Sequence, residues 1–280
     1  MNLSWRENPF DNRTDYGWHV PVEAAVTRID ITRALDKPTV LYEEGDHAVY
    51  WLGINNPTAF RTNIYLVRDG EQAILVDPGH RAYFQQVKDR VAQLLPPENV
   101  SGMILCHQDP DVAASMTDWL EINPDMEVYT SPRTQVLIKH YGRTDYNYVD
   151  VEAKPLLALP SGAELKFIPA PFLHFPGAFA SYDCMAHLLF TGDVFSSLDV
   201  GINLWSENFA ELAGNMRLFH TDYMASNIAT RGFIRQLDNL NIDTLLPQHG
   251  CLIGGKNVLT AMDWLANLQC GTDLIYPDLT

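Results

Sequence analysis

Met103-Ile104-Leu105-Cys106-His107-Gln108-Asp109-Pro110-Asp111 runs from an apolar, strand-like stretch straight into three metal-ligand side chains. In α/β sheets, ligands and chemistry gather in loops beyond the carboxyl ends of strands, so these residues set an expectation for both fold and site. Two metals a few ångströms apart need ligands that diverge from one short loop. The alternation His107, Asp109, Asp111 supplies that divergence, with His107 and Asp109 facing one metal and Asp111 the other. Taken alone the motif is weak, because a polar loop capping a helix that begins near Val112 would read the same way.

Downstream, ligand-capable residues recur where apolar runs end. Leu165-Lys166-Phe167-Ile168-Pro169-Ala170-Pro171-Phe172-Leu173 precedes His174 and a Phe175-Pro176-Gly177 turn. His187-Leu188-Leu189-Phe190-Thr191-Gly192 runs into Asp193. Ile242-Asp243-Thr244-Leu245-Leu246-Pro247 leads to Gln248, His249 and Gly250. Each place repeats a buried strand, a sharp turn and a side chain able to hold a metal.

In this order, H-x-D-x-D, then H, then G-D, then H-G, the motifs resemble the metallo-β-lactamase superfamily. The resemblance extends from Asn63-Ile64-Tyr65-Leu66-Val67 and Ile74-Leu75-Val76-Asp77-Pro78-Gly79 through His249-Gly250. Zinc hydrolases of the superfamily carry H-x-H-x-D-H, whereas this chain has Asp109 and Val112 at the third and sixth places. A carboxylate at the third place is similar to the di-iron branch: the flavodiiron proteins and their flavodoxin-lacking relatives, the oxygen-binding di-iron proteins. In that branch the third place is commonly Glu, one methylene longer than Asp109.

The resemblance implies an αβ/βα four-layer sandwich. It places His107, Asp109 and His174 on one metal, Asp111 and His249 on the other, and Asp193 between them. Through Tyr223-Met224-Ala225-Ser226-Asn227 it also makes Tyr223 a candidate catalytic residue near the open metal face. Two Fe ions are implied. A donor set of imidazole and carboxylate oxygen without thiolate suits Fe or Mn at least as well as Zn. Val112, where hydrolases place a histidine, leaves one metal with open positions of the kind O₂ or NO would need. The implied function is O₂ or NO binding, with possible reduction, by an oxygen sensor or by a reductase served by an external electron donor. With Thr280 following so soon after His249, no flavodoxin or rubredoxin module is expected, and a redox or signalling protein is the expected partner. A homodimer would match the family. The alternative is a metal-dependent hydrolase acting on a phosphodiester, thioester or lactone; a module with purely structural metals is a third reading.

A chain of 280 residues with 46% hydrophobic content can bury an enzyme-sized core. One di-metal domain is expected over residues 41–280, preceded by an extension over 1–40 that packs on the core or on a dimer partner. A formal net charge of −16 argues against long nucleic acid, which is held by clustered Lys and Arg, and would steer a basic redox partner. No apolar run approaches the roughly 20 residues of a membrane span, and the N-terminus lacks a basic-then-apolar leader. Cys106, Cys184, Cys251 and Cys270 form no C-x-x-C pair, which argues against a zinc ribbon or iron–sulfur site and fits buried thiols in a cytoplasmic protein.

Alternating apolar positions predict strands over 48–52, 62–67, 73–76, 103–106, 127–130, 165–168, 187–190 and 244–246. Helical spacing predicts helices over 83–94, 113–121, 132–141, 208–220, 226–240 and 255–268, with Ser131 capping the one that opens on Pro132. Asp77 is read either as orienting a ligand or as a turn residue before Pro78-Gly79. The remaining histidines, His19, His47, His80, His140, His187 and His220, are read as surface or satisfied core groups, with His80 and His220 the ones placed by context to line a pocket.

Overall fold

The computed structural model describes residues 37–53, 60–198, 204–206 and 208–279. The expected N-terminal extension lies outside these, save residues 37–40, and Thr39 and Val40 already belong to a strand. Two Gly-containing two-residue turns, Gly45-Asp46 and Gly70-Glu71, close hairpins that start the first sheet. These join β1 (Thr39–Glu44) to β2 (His47–Trp51) and β3 (Tyr65–Asp69) to β4 (Gln72–Val76). Parallel strands β5 (Val100–Ile104), β6 (Glu127–Thr130) and β7 (Asn147–Asp150) complete seven strands in sequential order.

The second sheet has six strands: β8 (Leu156–Ala158), β9 (Glu164–Pro169), β10 (Phe179–Asp183), β11 (Leu188–Gly192), β12 (Thr244–Pro247) and β13 (Ile253–Gly254). Between the sheets, Val49, Trp51, Val67 and Ile104 meet Phe167, Phe179, Phe190 and Leu246. The outer face of the first sheet is covered by α1 (Phe84–Val91), α2 (Pro110–Ala113), α3 (Met116–Ile122) and α4 (Pro132–Ile138), through side chains such as Val87, Val112, Trp119 and Ile138. On the second sheet, α5 (Phe209–Tyr223), α6 (Asn227–Leu237) and α7 (Asn257–Ala266) bury Met216, Phe233 and Leu265, and a short α8 (Thr272–Ile275) follows. Helix, sheet, sheet, helix is the expected four-layer order. Among the described residues, no helix is long and apolar enough to cross a membrane.

One buried histidine rivets the sheets together. His47 at the start of β2 contacts Asp69 (Nδ1 to Oδ2, 3.1 Å) at the end of β3 and Asp183 (Nε2 to Oδ2, 2.7 Å) at the end of β10. Ser161 donates to Asp69 through both its backbone N–H and its hydroxyl. This is the satisfied core histidine that the sequence suggests.

The departures from expectation have local causes. The strand expected over 62–67 starts at Tyr65, because Thr62 instead bridges His249 and the Asn63 amide donates to the Gln248 carbonyl. The helix expected over 113–121 breaks at Ser115, whose hydroxyl donates to the Pro78 carbonyl and whose amide donates to that of Gly79. Ser131 caps α4 as expected, accepting from the Thr134 amide.

Candidate metal centre

The candidate ligands lie at strand ends, in the loops beside them or, for Asp111, in the first turn of α2. His107, Asp109 and Asp111 follow β5; His174 lies between β9 and β10; Asp193 follows β11; His249 follows β12. Because β11 and β12 pair in parallel, Asp193 and His249 emerge side by side. Asp77 supports the first loop. Its Oδ1 accepts from the Cys106 amide at 2.9 Å, so the chain turns out of the sheet into His107. Burial raises the Asp77 pKa to about 6 against that amide. Asp77 thus orients the ligand loop rather than merely preceding a turn.

Two lobes share one carboxylate. In the first, Asp193 Oδ2 lies 3.1 Å from His107 Nε2 and 3.0 Å from His174 Nε2. Asp109 Oδ2 lies 3.2 Å from His174 Nε2 and 3.6 Å from His107 Nε2, so the shorter carboxylate reaches the cluster. Donor atoms from these four residues fall within 4.8 Å of one another. In the second lobe, His249 Nε2 lies 3.2 Å from Asp111 Oδ2 and 3.5 Å from Asp193 Oδ1. Asp109 makes no side-chain cap to α2, although it occupies the cap position, so its carboxylate serves the cluster and not the helix.

The residues fit a cation pair. Among the described residues, Asp193 Oδ1 is buried without a hydrogen-bond partner, and a buried carboxylate oxygen left so is costly unless a cation meets it. The carboxylates also hold the imidazoles protonated. Burial opposes charge on His174, but hydrogen bonds to Asp109 and Asp193 raise its pKa to about 9. Burial likewise opposes ionisation of Asp193, which the facing His107 nevertheless holds well below the usual carboxylate range. A cation that displaces these protons would release them, as metal binding does at any such site.

Several contributors were not foreseen. His107 Nδ1 lies 3.0 Å from Cys106 Sγ; with a cation on Nε2 the ring would keep its proton at Nδ1, which would donate to sulfur. Asn63 donates through its amide to the Pro247 and Gly250 carbonyls, and Tyr65 donates to that of Pro247, fixing the His249 loop to the first sheet. Phe60 and Phe219 flank His249, with ring centroids 5.6 and 6.2 Å away. Tyr223, at the end of α5, stacks on Phe219 at 4.6 Å and lies 5.6 Å from the His174 ring. Tyr223 is the candidate that the Tyr223–Asn227 segment singled out, and its four-residue spacing from Phe219 is the sequence signal for the rest of this aromatic wall. Val112 is fully buried in the first core and offers no ligand. His80 is exposed and its Nδ1 accepts from the Ala82 amide, whereas His220 is fully buried and accepts from the Phe195 amide.

Gly250 tests the loop. Its φ of +83° is a conformation that L side chains rarely adopt, and a Cβ there would fall 2.6 Å from the Ser197 carbonyl oxygen. Gly250→Ala is expected to displace His249 and weaken metal binding ~10–100-fold, the scale of lost support around a ligand, as measured by calorimetric titration.

Comparison with known proteins places this geometry. The chain resembles solved structures of the chemotaxis sensor ODP. Against a peroxy diiron form, identity is 32% over 87% of this chain and 100% of the other, with a TM-score of 0.77. Against the apo form from T. denticola, identity is 31% over 87% and 98%, with a TM-score of 0.78. It is 26% identical to diflavin flavoprotein A 1 of Synechocystis over 82% of this chain and 39% of that protein. It is also 26% identical to a nitric oxide reductase of Moorella thermoacetica over 73% and 55%. The chain spans between 34% and 39% of the length of the cyanobacterial diflavin flavoproteins A 1 that it matches. A family model described as ODP family beta lactamase matches residues 60–250, the span that carries all six clustered side chains. The chain belongs to the ODP family of β-lactamase-like proteins.

Proposed function

We propose that residues 41–280 form a non-haem di-iron domain that binds O₂ or NO as a sensor. The observation that carries this is the division of Asp193, with Oδ2 facing His107 and His174 and Oδ1 facing His249. His107, Asp109 and His174 would hold one iron and Asp111 and His249 the second, with Asp193 placed to serve both. Two ferrous ions held there would supply two electrons and open coordination positions for a diatomic molecule.

The protein's own groups prepare the site. Asp77 and Cys106 fix the His107 loop and its tautomer, while Asn63 and Tyr65 fix the loop of His249. Phe60 and Phe219 put apolar surface beside the imidazoles and keep water from the face that a diatomic guest enters. Tyr223, whose ring lies 5.6 Å from that of His174, would offer its phenol O–H to that guest. Full-length coverage of a chemotaxis sensor favours signalling over turnover, with a separate protein as redox or signalling partner. A homodimer in the cytoplasm belongs to the same reading and rests on the resemblance.

Metal analysis after anaerobic loading tests the assignment: two irons per chain are expected, with no hydrolysis of a phosphodiester, thioester or lactone. Metal-dependent hydrolysis under strict anaerobiosis, without reductant, would favour the hydrolase instead. The net charge of −16 makes a basic partner the expected one. Its association rate should fall as salt rises, and a rate indifferent to ionic strength would count against it.

A further inference from the structure

His220 is fully buried on α5 and is not among the clustered ligands. Its Nδ1 lies 2.8 Å from the Met216 carbonyl oxygen, and its Nε2 lies 2.9 Å from the Phe195 amide nitrogen. A carbonyl only accepts and an amide N–H only donates, so the ring is neutral, protonated at Nδ1 and accepting at Nε2. Burial, which lowers the pKa of this imidazole to about 4 against the Met216 carbonyl, agrees with that state. Trp264 packs edge-on against the ring at 5.4 Å.

What His220 grips is a strained turn. Phe195 is fully buried with φ +66°, a conformation unfavourable for a bulky L residue that persists only when its surroundings enforce it. Thr191 donates through its hydroxyl to the Val194 carbonyl, and the Ser196 amide donates to that of Asp193. Ser196 Oγ accepts from the His249 amide at 3.2 Å, so one turn sets both Asp193 and His249. The helix that carries His220 also carries Phe219 and Tyr223.

We propose that His220 is a positioning residue whose neutral ring clamps the Phe195 amide, and so holds Asp193 with one carboxylate oxygen toward each metal lobe. This rests on the binuclear reading above. If the turn relaxes, the first lobe keeps His107, Asp109 and His174, whereas the second is left with Asp111 and His249. Loss of the clamp therefore costs the second iron before the first.

The test is an anaerobic ferrous titration of the full chain, paired with amide hydrogen exchange at Phe195 in the metal-free protein. Gln places Oε1 near the position of Nε2, so His220→Gln should keep the Phe195 amide protected and bind two irons. His220→Asn and His220→Leu cannot accept from that amide. In both, Phe195 exchange should quicken at least tenfold and the second iron should bind at least tenfold more weakly, with the first retained. Thr191→Val, which loosens the turn from its other side, should shift second-iron binding in the same direction. Unchanged Phe195 protection in folded His220→Asn overturns the clamp, as does equal loss of both irons. If the unmodified chain holds a single iron, the binuclear reading fails, while Phe195 exchange still decides the clamp.

Discussion

Asp193→Ala is expected to reduce the protein's capacity from two irons to at most one. Among the described residues Asp193 alone faces both lobes, with Oδ2 at 3.0–3.1 Å from the His174 and His107 Nε2 atoms and Oδ1 at 3.5 Å from that of His249. Removing it also takes the most deeply buried counter-charge from three protonation-prone imidazoles, His107, His174 and His249. The second metal should bind more than about 100-fold more weakly, beyond what losing an outer support of a ligand costs. Asp193→Asn keeps the shape and one oxygen acceptor, so it should hold the first iron better than the alanine variant. Iron counting on gel-filtered, anaerobically loaded protein decides the matter, and a variant that retains two tightly held irons removes the bridge.

The second large effect is on stability and lies far from the metals in chain terms. His47→Leu would leave Asp69 and Asp183 buried without their shared cation, and breaking such a pair from one side costs about 3–5 kcal/mol. A denaturant midpoint shift measures it. Burial opposes charge on His47, but its hydrogen bonds to Asp183 and Asp69 outweigh burial and raise its pKa. A group whose folded pKa is raised contributes fully below its unfolded value, ~6.5 for histidine, and the contribution is lost as pH climbs through the folded value. The advantage of the unmodified protein over His47→Leu should therefore be largest in mild acid and shrink toward alkaline pH. A difference that grows with pH would show that His47 is buried neutral.

The clustering of the six candidate side chains was legible because strand ends advertise themselves: apolar runs that stop at His107, Asp193 and His249 put polar groups where a sheet delivers them. The layered fold followed from alternating strands and helices, with Ser131 and Pro132 marking a helix start that the structure keeps. Less legible were strands whose pairing supplies what their composition lacks. Asn147–Asp150 is a polar edge strand completed by β6, and Phe179–Asp183 is drawn into the sheet by β9 and β11. The supports of the site were hidden for a similar reason. Asn63, Cys106 and His220 act through contacts with residues distant in sequence, or through a ring orientation, neither of which a linear pattern records. The helix break at Ser115 likewise depends on the Pro78–Gly79 backbone arriving beside it.

The central claim, a binuclear iron site that takes a diatomic molecule, is tested most directly by anaerobic optical titration of the iron-loaded, fully reduced protein with O₂. An absorption band that requires both iron and O₂, saturates at one O₂ per two irons and persists is the predicted result, and it should be absent from Asp193→Ala. Failure to load iron, or a reduced, iron-loaded protein whose spectrum does not change with O₂, would contradict the account.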